Sequence, residues 1–462
     1  MKAQTEASGG GETAAATEVR LPLGVCLGFG VGSLGIAILL NTITTFFPAL
    51  MTTVLGQSAA LAGLLLTISK LYDVFADIVI GVASDRTKSR WGRRRPYMLA
   101  GAVVAAFSFI MIFMPPSLED NALVIYMAIA LIIYSTGYSL FAVPYIAMAG
   151  EMTDDYNERT RLLSFRTFFV SVGQMAGMAG TAALVDWAGG GERGYAVLGA
   201  ACASVILTAM TICFFGTKNA RRAEAQPKSH MPGMEQVRSL WANKPFVLLI
   251  GAKVTQFLAI SIFTTTKLLF LLNVMQVGYS GLMHLSISQN IVGMITVPLW
   301  TWAGKRFGKT KSYMVAILLL TAMYLSWLLT GPTNNIWDLW LRGALNGLAA
   351  TGTALMSISM LPDVMEYDRK VTGERREGVF SSIYAMVEKL SFAIGPGLIG
   401  LILAMAGYAA TTGGAVVQQS GEAIQALYLG MAIIPAILAG ISFFFMMNYK
   451  LDAKTLKDMP SK

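Results

Sequence analysis

The second long apolar run of the chain, ISKLYDVFADIVIGVASD over residues 68–85, contains Lys70, Asp73 and Asp77. Spacings of three and four place all three on one face of a helix. Two carboxylates one turn apart repel each other unless a proton or cation sits between them. A hard cation wants several oxygen ligands. The pair therefore reads as a cation site, with Lys70 balancing the charge when it is empty; the alternative is a salt-bridged cluster that only fixes helix packing. In the fourth run Tyr134, Tyr138, Phe141 and Tyr145 recur at helical spacing, which suits either packing or contact with a solute. Pro144 has no N–H, so it frees the carbonyl of Leu140; that carbonyl and the Ser139 hydroxyl are further candidate cation ligands. Arg166 in the fifth run is suited to holding an anionic or hydroxylated solute, or to pairing with Asp73 or Asp77. Glu388 and Lys389 interrupt the eleventh run. Adjacent helical residues point about 100° apart, so these two do not pair with each other and one faces a cavity. Lys253 and Lys267 are weaker candidates, Lys267 being placed to snorkel toward an interface. Arg342 opens the tenth run and reads as interfacial.

The elements that must carry these groups are membrane helices. The 462 residues are 55% hydrophobic and 13% charged, against roughly a quarter charged in soluble proteins. The apolar residues arrive in runs long enough to cross about 30 Å of hydrocarbon, near 22–50, 58–84, 97–115, 121–149, 164–185, 194–216, 245–273, 281–303, 313–331, 336–361, 379–406 and 423–447. Within lipid such runs are helices, because an isolated strand leaves its backbone unsatisfied. The fold class is thus an all-α integral membrane protein of about twelve transmembrane helices. A charge at the bilayer centre costs about 2.5–3.5 kcal/mol or more, which is why the ionisable residues above command interest.

The formal net charge is +9. The bases fall in short segments on one side, at 85–96, 217–244, 304–312 and 362–378 and in the C-terminal tail, while the alternate connections hold almost none. This is the pattern of cytoplasmic loops, with both termini cytoplasmic, and not of a nucleic-acid-binding surface. The first twenty residues are polar and show no signal peptide. The organisation is a cytoplasmic N-terminal tail 1–20, a six-helix bundle 21–216, a cytoplasmic central loop 217–244, a second six-helix bundle 245–447 and a cytoplasmic tail 448–462. The halves echo each other: Arg90-Trp91-Gly92-Arg93 with Tyr97-Met98 recurs as Arg306-Phe307-Gly308-Lys309 with Tyr313-Met314, a parallel repeat. Acids among the loop bases (Asp85 beside Arg86 and Arg93; Asp363 and Glu366 beyond the tenth run) suggest a charge network that breaks and re-forms as the halves rock. Cys26, Cys202 and Cys213 lie inside spans and read as packed thiols. An enzyme would need a nucleophile–base pair or a metal cluster, whereas the two histidines, His230 and His284, are far apart and have no cysteine nearby.

The stretch Asp73-x-x-x-Asp77-x-x-x-Gly81-x-x-x-Asp85-x-Thr87-x-Ser89-Arg90-x-Gly92, followed by Val143-Pro144-Tyr145, Arg166, Asp363-x-x-Glu366-Tyr367 and Lys389, resembles the glycoside–pentoside–hexuronide:cation symporters of the major facilitator superfamily. Animal lysolipid symporters of the same superfamily share much of it. The resemblance implies the superfamily's fold of two six-helix bundles and a monomer in a bacterial inner membrane. It implies alternating-access symport of a small molecule with H+ or Na+, and no cofactor beyond the transported ion. Carried over by position, Asp73 and Asp77 correspond to the family's cation-site carboxylates, and Arg166 and Lys389 to cavity residues near the substrate and cation sites. The reading of the residues themselves adds Ser139 to the cation site, Tyr138 and Tyr145 to the substrate contacts, and Lys70, Asp85, Arg86, Arg93, Asp363 and Glu366 as the expected gating network. No metal is expected beyond a transported Na+ at Asp73 and Asp77. Three departures bear on substrate and ion. Ala76 and Ile78 replace the Asn and Pro common in the sodium-binding form. Gly35 and Ala142 stand where galactoside-holding acids are expected, and Ile146 where an aromatic is. The expected substrate is a sugar or glycoside, with a lysolipid or other amphipathic organic anion as the alternative, and an integral membrane enzyme or a channel as remote ones.

Overall fold

The computed structural model describes residues 20–153, 155–218, 240–241, 243–332, 335–373, 376–415, 417–451 and 455–456. Residues 1–19, 219–239 and 457–462, and so most of the expected tails and central loop, lie outside them, as do Asp154 and Arg375. Among the described residues the chain forms twelve long helices: α1 Leu23–Val54, α2 Ala59–Arg86, α3 Arg95–Phe113, α4 Asp120–Met152, α5 Glu158–Trp187, α6 Gly191–Gly216, α7 Lys244–Met275, α8 Gly278–Phe307, α9 Lys309–Leu329, α10 Ile336–Thr372, α11 Glu377–Met405 and α12 Gly421–Met447. Eleven are long and apolar enough to cross a membrane. The other, α2, has 28 residues and packs among them on α4 and α11.

Local chemistry sets the ends. Ser58 begins α2 by accepting from the Leu61 N–H at 3.2 Å, and Asp155 caps the start of α5 by accepting from Glu158 at 2.8 Å; both satisfy amide donors that a helix start leaves free. The sequence reading ends the tenth apolar run at 361, and Pro362 and a cluster of charges follow it. The helix instead runs through Pro362 to Thr372. Its extension is bonded to the chain around it: Lys309 Nζ donates to Asp363 Oδ2 at 2.7 Å. Gly373, at φ 76°, closes the helix by donating its N–H to Arg369 O at 2.8 Å, the left-handed stop that glycine favours.

Helices α1–α6 pack as one bundle and α7–α12 as a second, joined by three pairs: α2 with α11, α1 with α7, and α5 with α8. The second helix of each half thus meets the fifth of the other, as a two-fold repeat requires. The α2–α11 crossing is close because a Cβ at Gly63 would strike the Pro396 carbonyl, and one at Gly400 the Ala59 carbonyl. The repeated loops also match in backbone. Gly92 has φ 93° and Gly308 φ 92°, a conformation that side-chain-bearing residues rarely adopt.

One end of the interface is sewn shut by backbone hydrogen bonds. The last turn of α1, Leu50–Val54, is π-helical. Its carbonyls at Thr52, Thr53 and Val54 accept from Thr411, Gly414 and Gly413 at 2.7, 2.8 and 2.8 Å, and Gly56 N donates to Thr411 O at 2.9 Å. At the opposite, charge-rich end the ion pairs seen among the described residues lie within one half: Arg94–Asp85 and Arg94–Glu151 in the first, Lys309–Asp363 and Arg376–Asp368 in the second.

Candidate functional site

Asp73 and Asp77, the two acids in the middle of α2, are both matched to lysines. Lys70 Nζ lies 3.2 Å from Asp73 Oδ2 and sits over the rings of Tyr134 and Tyr138, at 5.2 and 5.7 Å. Asp73 is 4% exposed, and its Oδ1 has no hydrogen-bond partner among the described residues. Asp77 Oδ1 accepts from the Ser139 hydroxyl at 2.6 Å, and its Oδ2 is ion-paired with Lys389 Nζ. That second pair joins α2 of one half to α11 of the other. The expected grouping of Asp77 with Ser139 is therefore present, and the two acids are held by separate cations. The pair with Lys389 is not sealed: the two side chains remain 33% and 20% exposed.

The aromatic stripe of α4 divides. Tyr134 and Phe141 are buried, and Tyr145 is fully buried, stacked on Phe29 at 4.3 Å with its hydroxyl donating to Phe29 O at 2.9 Å. Tyr145 is thus packing in this conformation and not a substrate contact; a stripe reads the same in sequence whether it faces a neighbour or a cavity. Tyr138 is half-buried. Arg166 is half-buried; its carbonyl accepts from Ser33 Oγ at 2.9 Å, while its Nε has no hydrogen-bond partner among the described residues. Gly35 and Ala142 do not line a cavity. A Cβ at Gly35 would stand 3.0 Å from Met210 Cγ, and Ala142 is 3% exposed. Ile146, in contrast to Gly35 and Ala142, is exposed, at 56%.

In the second half, Lys253 is 2% exposed and is held by neutral groups. Its Nζ donates to Gln256 Oε1 at 2.6 Å and Ser357 Oγ at 3.1 Å, and it lies 4.1 Å from the Phe257 ring centroid. Tyr313 OH also donates to Gln256 Oε1, at 3.0 Å. Lys267 does not snorkel: it is 2% exposed, with Nζ 5.2 Å from the Phe263 ring, one turn back on the same helix. Arg342 is likewise buried, donating to Asp338 Oδ2 at 2.8 Å and Ser326 Oγ at 2.7 Å.

In the expected gating network, Asp85 pairs with Arg94 at 3.1 Å, and Arg93 with Glu151. The hub is Arg94, which also reaches Glu151 at 2.6 Å; the run of three arginines hid which one bridges. Arg86 has no ion pair or hydrogen bond among the described residues and is exposed, so it stands outside the network in this conformation. Asp363 pairs with Lys309 at 2.7 Å, the second-half counterpart of Arg93 with Glu151. Glu366 is exposed and 4.0 Å from Lys370, a marginal contact. The sequence reading also missed Asp368, a buried acid gripped by Arg376 at 2.8 Å and by Asn243 Nδ2 at 3.2 Å.

Two like bundles, charges paired across their seam and one end closed define a secondary transporter of the major facilitator type. Solved structures show the same fold: the nucleoside transporter NupG (TM-score 0.66, 14% identity, 92% of this chain and 100% of that one), and a bacterial homologue of the human lysosomal transporter Spinster, inward-facing and unoccupied (0.64, 15%, 92% and 96%). The MFS/sugar transport protein family matches residues 28–453, and the chain belongs to it. Relatives include the isoprimeverose transporter of Lactiplantibacillus pentosus (26% identical, 91% of this chain and 88% of that protein), a glucuronide carrier protein homologue of Escherichia coli (27%, 90% and 89%) and a putative 2,3-dihydroxypropane-1-sulfonate exporter of the same bacterium (25%, 96% and 97%). The chain is a transporter and not an enzyme.

Proposed function

We propose that this chain is an alternating-access symporter that moves a sugar or glycoside together with H+ or Na+ across a bacterial inner membrane, with both termini cytoplasmic. The observation that carries the reading is the Asp77–Lys389 pair, one ionic contact bridging the two halves within their membrane spans. The basic loops lie at the end where ion pairs stay within each half, so the sealed end faces outward and the conformation is inward-facing. A cation or proton arriving at Asp77, beside Ser139, competes with the Lys389 ammonium. Its binding neutralises the carboxylate, frees Lys389 and changes what links the halves. Asp73, with its free Oδ1 and its Lys70 partner, is the second member of the site. The pairs with lysine keep the empty site near neutral, which lets the unloaded carrier turn round; a loaded site is neutralised by the ion instead. The membrane potential adds about 2.3 kcal/mol per charge moved through 100 mV.

The names of relatives support a sugar or glycoside, and Arg166 with Tyr138 supplies donors for hydroxyl or acidic groups. The loss of Asn and Pro to Ala76 and Ile78 removes an amide oxygen, which weakens a sodium site more than a proton site. The reading as a lysolipid or organic-anion symporter keeps exposed Ile146 in its favour; Gly35 and Ala142, being packed, no longer count for it. The test is uptake by proteoliposomes supplied with a sugar and glycoside pool under separate sodium and proton gradients. Accumulation above equilibrium under one gradient is the expected result. Uptake that only equilibrates under both would defeat the symport reading.

A further inference from the structure

Glu388 is the one acid in the middle of α11, and the coupling scheme does not use it. The helix itself shows where it points. Ser391 and Gly395 face α7: Ser391 Oγ reaches Val254 O at 3.5 Å, and a Cβ at Gly395 would strike Ser261. Lys389, Pro396 and Gly400 face α2. Ile394, Leu401 and Met405 are exposed on the lipid side. At about 100° per residue, Glu388 falls between the α7 and α2 sectors, away from lipid and toward the space between the halves. It is exposed there, with no hydrogen bond or ion pair among the described residues. Tyr384, one turn earlier on the same face, has its ring 5.8 Å from Lys253 Nζ, and Glu388 lies within electrostatic range of Lys253 and, across the seam, of Tyr138. Lys253 gives its close contacts to Gln256 and Ser357, so it tempers the carboxylate's charge without occupying its oxygens.

An intramembrane carboxylate with vacant acceptor oxygens stands exposed at the seam between the halves, where the nearby acids Asp73 and Asp77 are already matched to lysines. Resting on the symporter reading, we propose that Glu388 is a substrate-binding residue of the second half and accepts hydrogen bonds from the hydroxyls of a polyhydroxylated solute. An ionised carboxylate offers only acceptors, so an aliphatic chain laid against it would strand the charge. A ring bearing several O–H donors satisfies it. Such a solute, held from the first half by Tyr138 and Arg166, would draw both halves onto itself.

The experiment compares wild type, Glu388→Ala, Glu388→Gln and Asp77→Asn in proteoliposomes. The probes are methyl β-D-glucoside, methyl β-D-xyloside, D-glucuronate and lysophosphatidylglycerol, followed by thermal shift and by counterflow exchange. The expected result is that at least one of the three polyols binds wild type. Its half-saturation rises ten-fold or more in Glu388→Ala and less in Glu388→Gln, whose amide oxygen still accepts, while the thermal midpoints of the substrate-free proteins stay close. The proposal is overturned by unchanged half-saturation in Glu388→Ala, or by a wild type that responds only to the lysolipid or to none of the probes. It is also overturned by a Glu388→Gln variant that exchanges with wild-type affinity yet loses uphill uptake, which would make Glu388 a proton carrier. Asp77→Asn separates the two readings: if it still accumulates solute, coupling at Asp77 fails, whatever Glu388 does in exchange.

Discussion

The two walls of the cavity handle charge differently. On the first-half wall Asp73 and Asp77 each have a lysine, Lys70 on Asp73 and Lys389 on Asp77. On the second-half wall the buried amine of Lys253 rests on an amide and a hydroxyl, and Glu388 has no hydrogen bond or ion pair among the described residues. A matched pair is neutral when empty and can exchange its cation for another, which suits coupling. A lysine held by neutral acceptors has nothing to exchange. It sets a local potential, and the unmatched acid beside it is left for a ligand.

The hardest test of that contrast is to remove one coupling acid. Asp77→Asn should abolish uphill uptake, the steady internal level falling to equilibrium, while counterflow exchange persists. Full accumulation by the mutant would end the comparison. Next in size is a stability difference between the two buried lysines. Lys70→Met leaves the Asp73 carboxylate buried without its partner and should cost about 3 kcal/mol. Lys253→Met breaks no close ion pair: Gln256 keeps Tyr313, Ser357 Oγ keeps the Ala354 carbonyl, and Glu388, which loses a nearby positive charge, is exposed; it should change stability by less than about 1 kcal/mol. Denaturation in detergent measures both, and equal losses would show that the walls do not differ.

Smaller still is Ser139→Ala, which removes a hydrogen bond to a charged acceptor. It should raise the half-saturating cation concentration about ten-fold, equivalent to about 1.4 kcal/mol, with maximal uptake little changed. At the bottom of the scale, Arg94→Ala, which loses Asp85 and Glu151, should lower stability by about 1 kcal/mol. Arg86→Ala should stay within about 0.5 kcal/mol. The reverse order in a thermal-shift series would put Arg86 in the network after all.

Much of the architecture is legible in the chain. Apolar runs fix twelve helices, since lipid permits few other backbone solutions, and the recurrence of Arg90–Tyr97 at Arg306–Tyr313 announces a repeat that the matching φ angles of Gly92 and Gly308 bear out. The errors in helix ends arose where a helix projects beyond the apolar run into charged sequence, as α10 does past Pro362. Among site residues, Ser139 reads from the sequence as a candidate cation ligand, and the structure adds that its hydroxyl donates to Asp77. Tyr145 was misplaced because helical spacing names a face without naming what that face meets.

By itself the sequence determined the number of spans, the two halves, the side on which bases gather and the presence of expensive acids on α2, because hydrophobicity and charge cost act residue by residue. Only the tertiary structure decided which cation sits on which acid. Lys389 and Asp77 lie 312 positions apart, and no local rule links them. It likewise separated Glu388 from Lys389, neighbours in the chain turned by the helix toward different surroundings, so that one closes a bridge between the halves and the other is left open to a ligand.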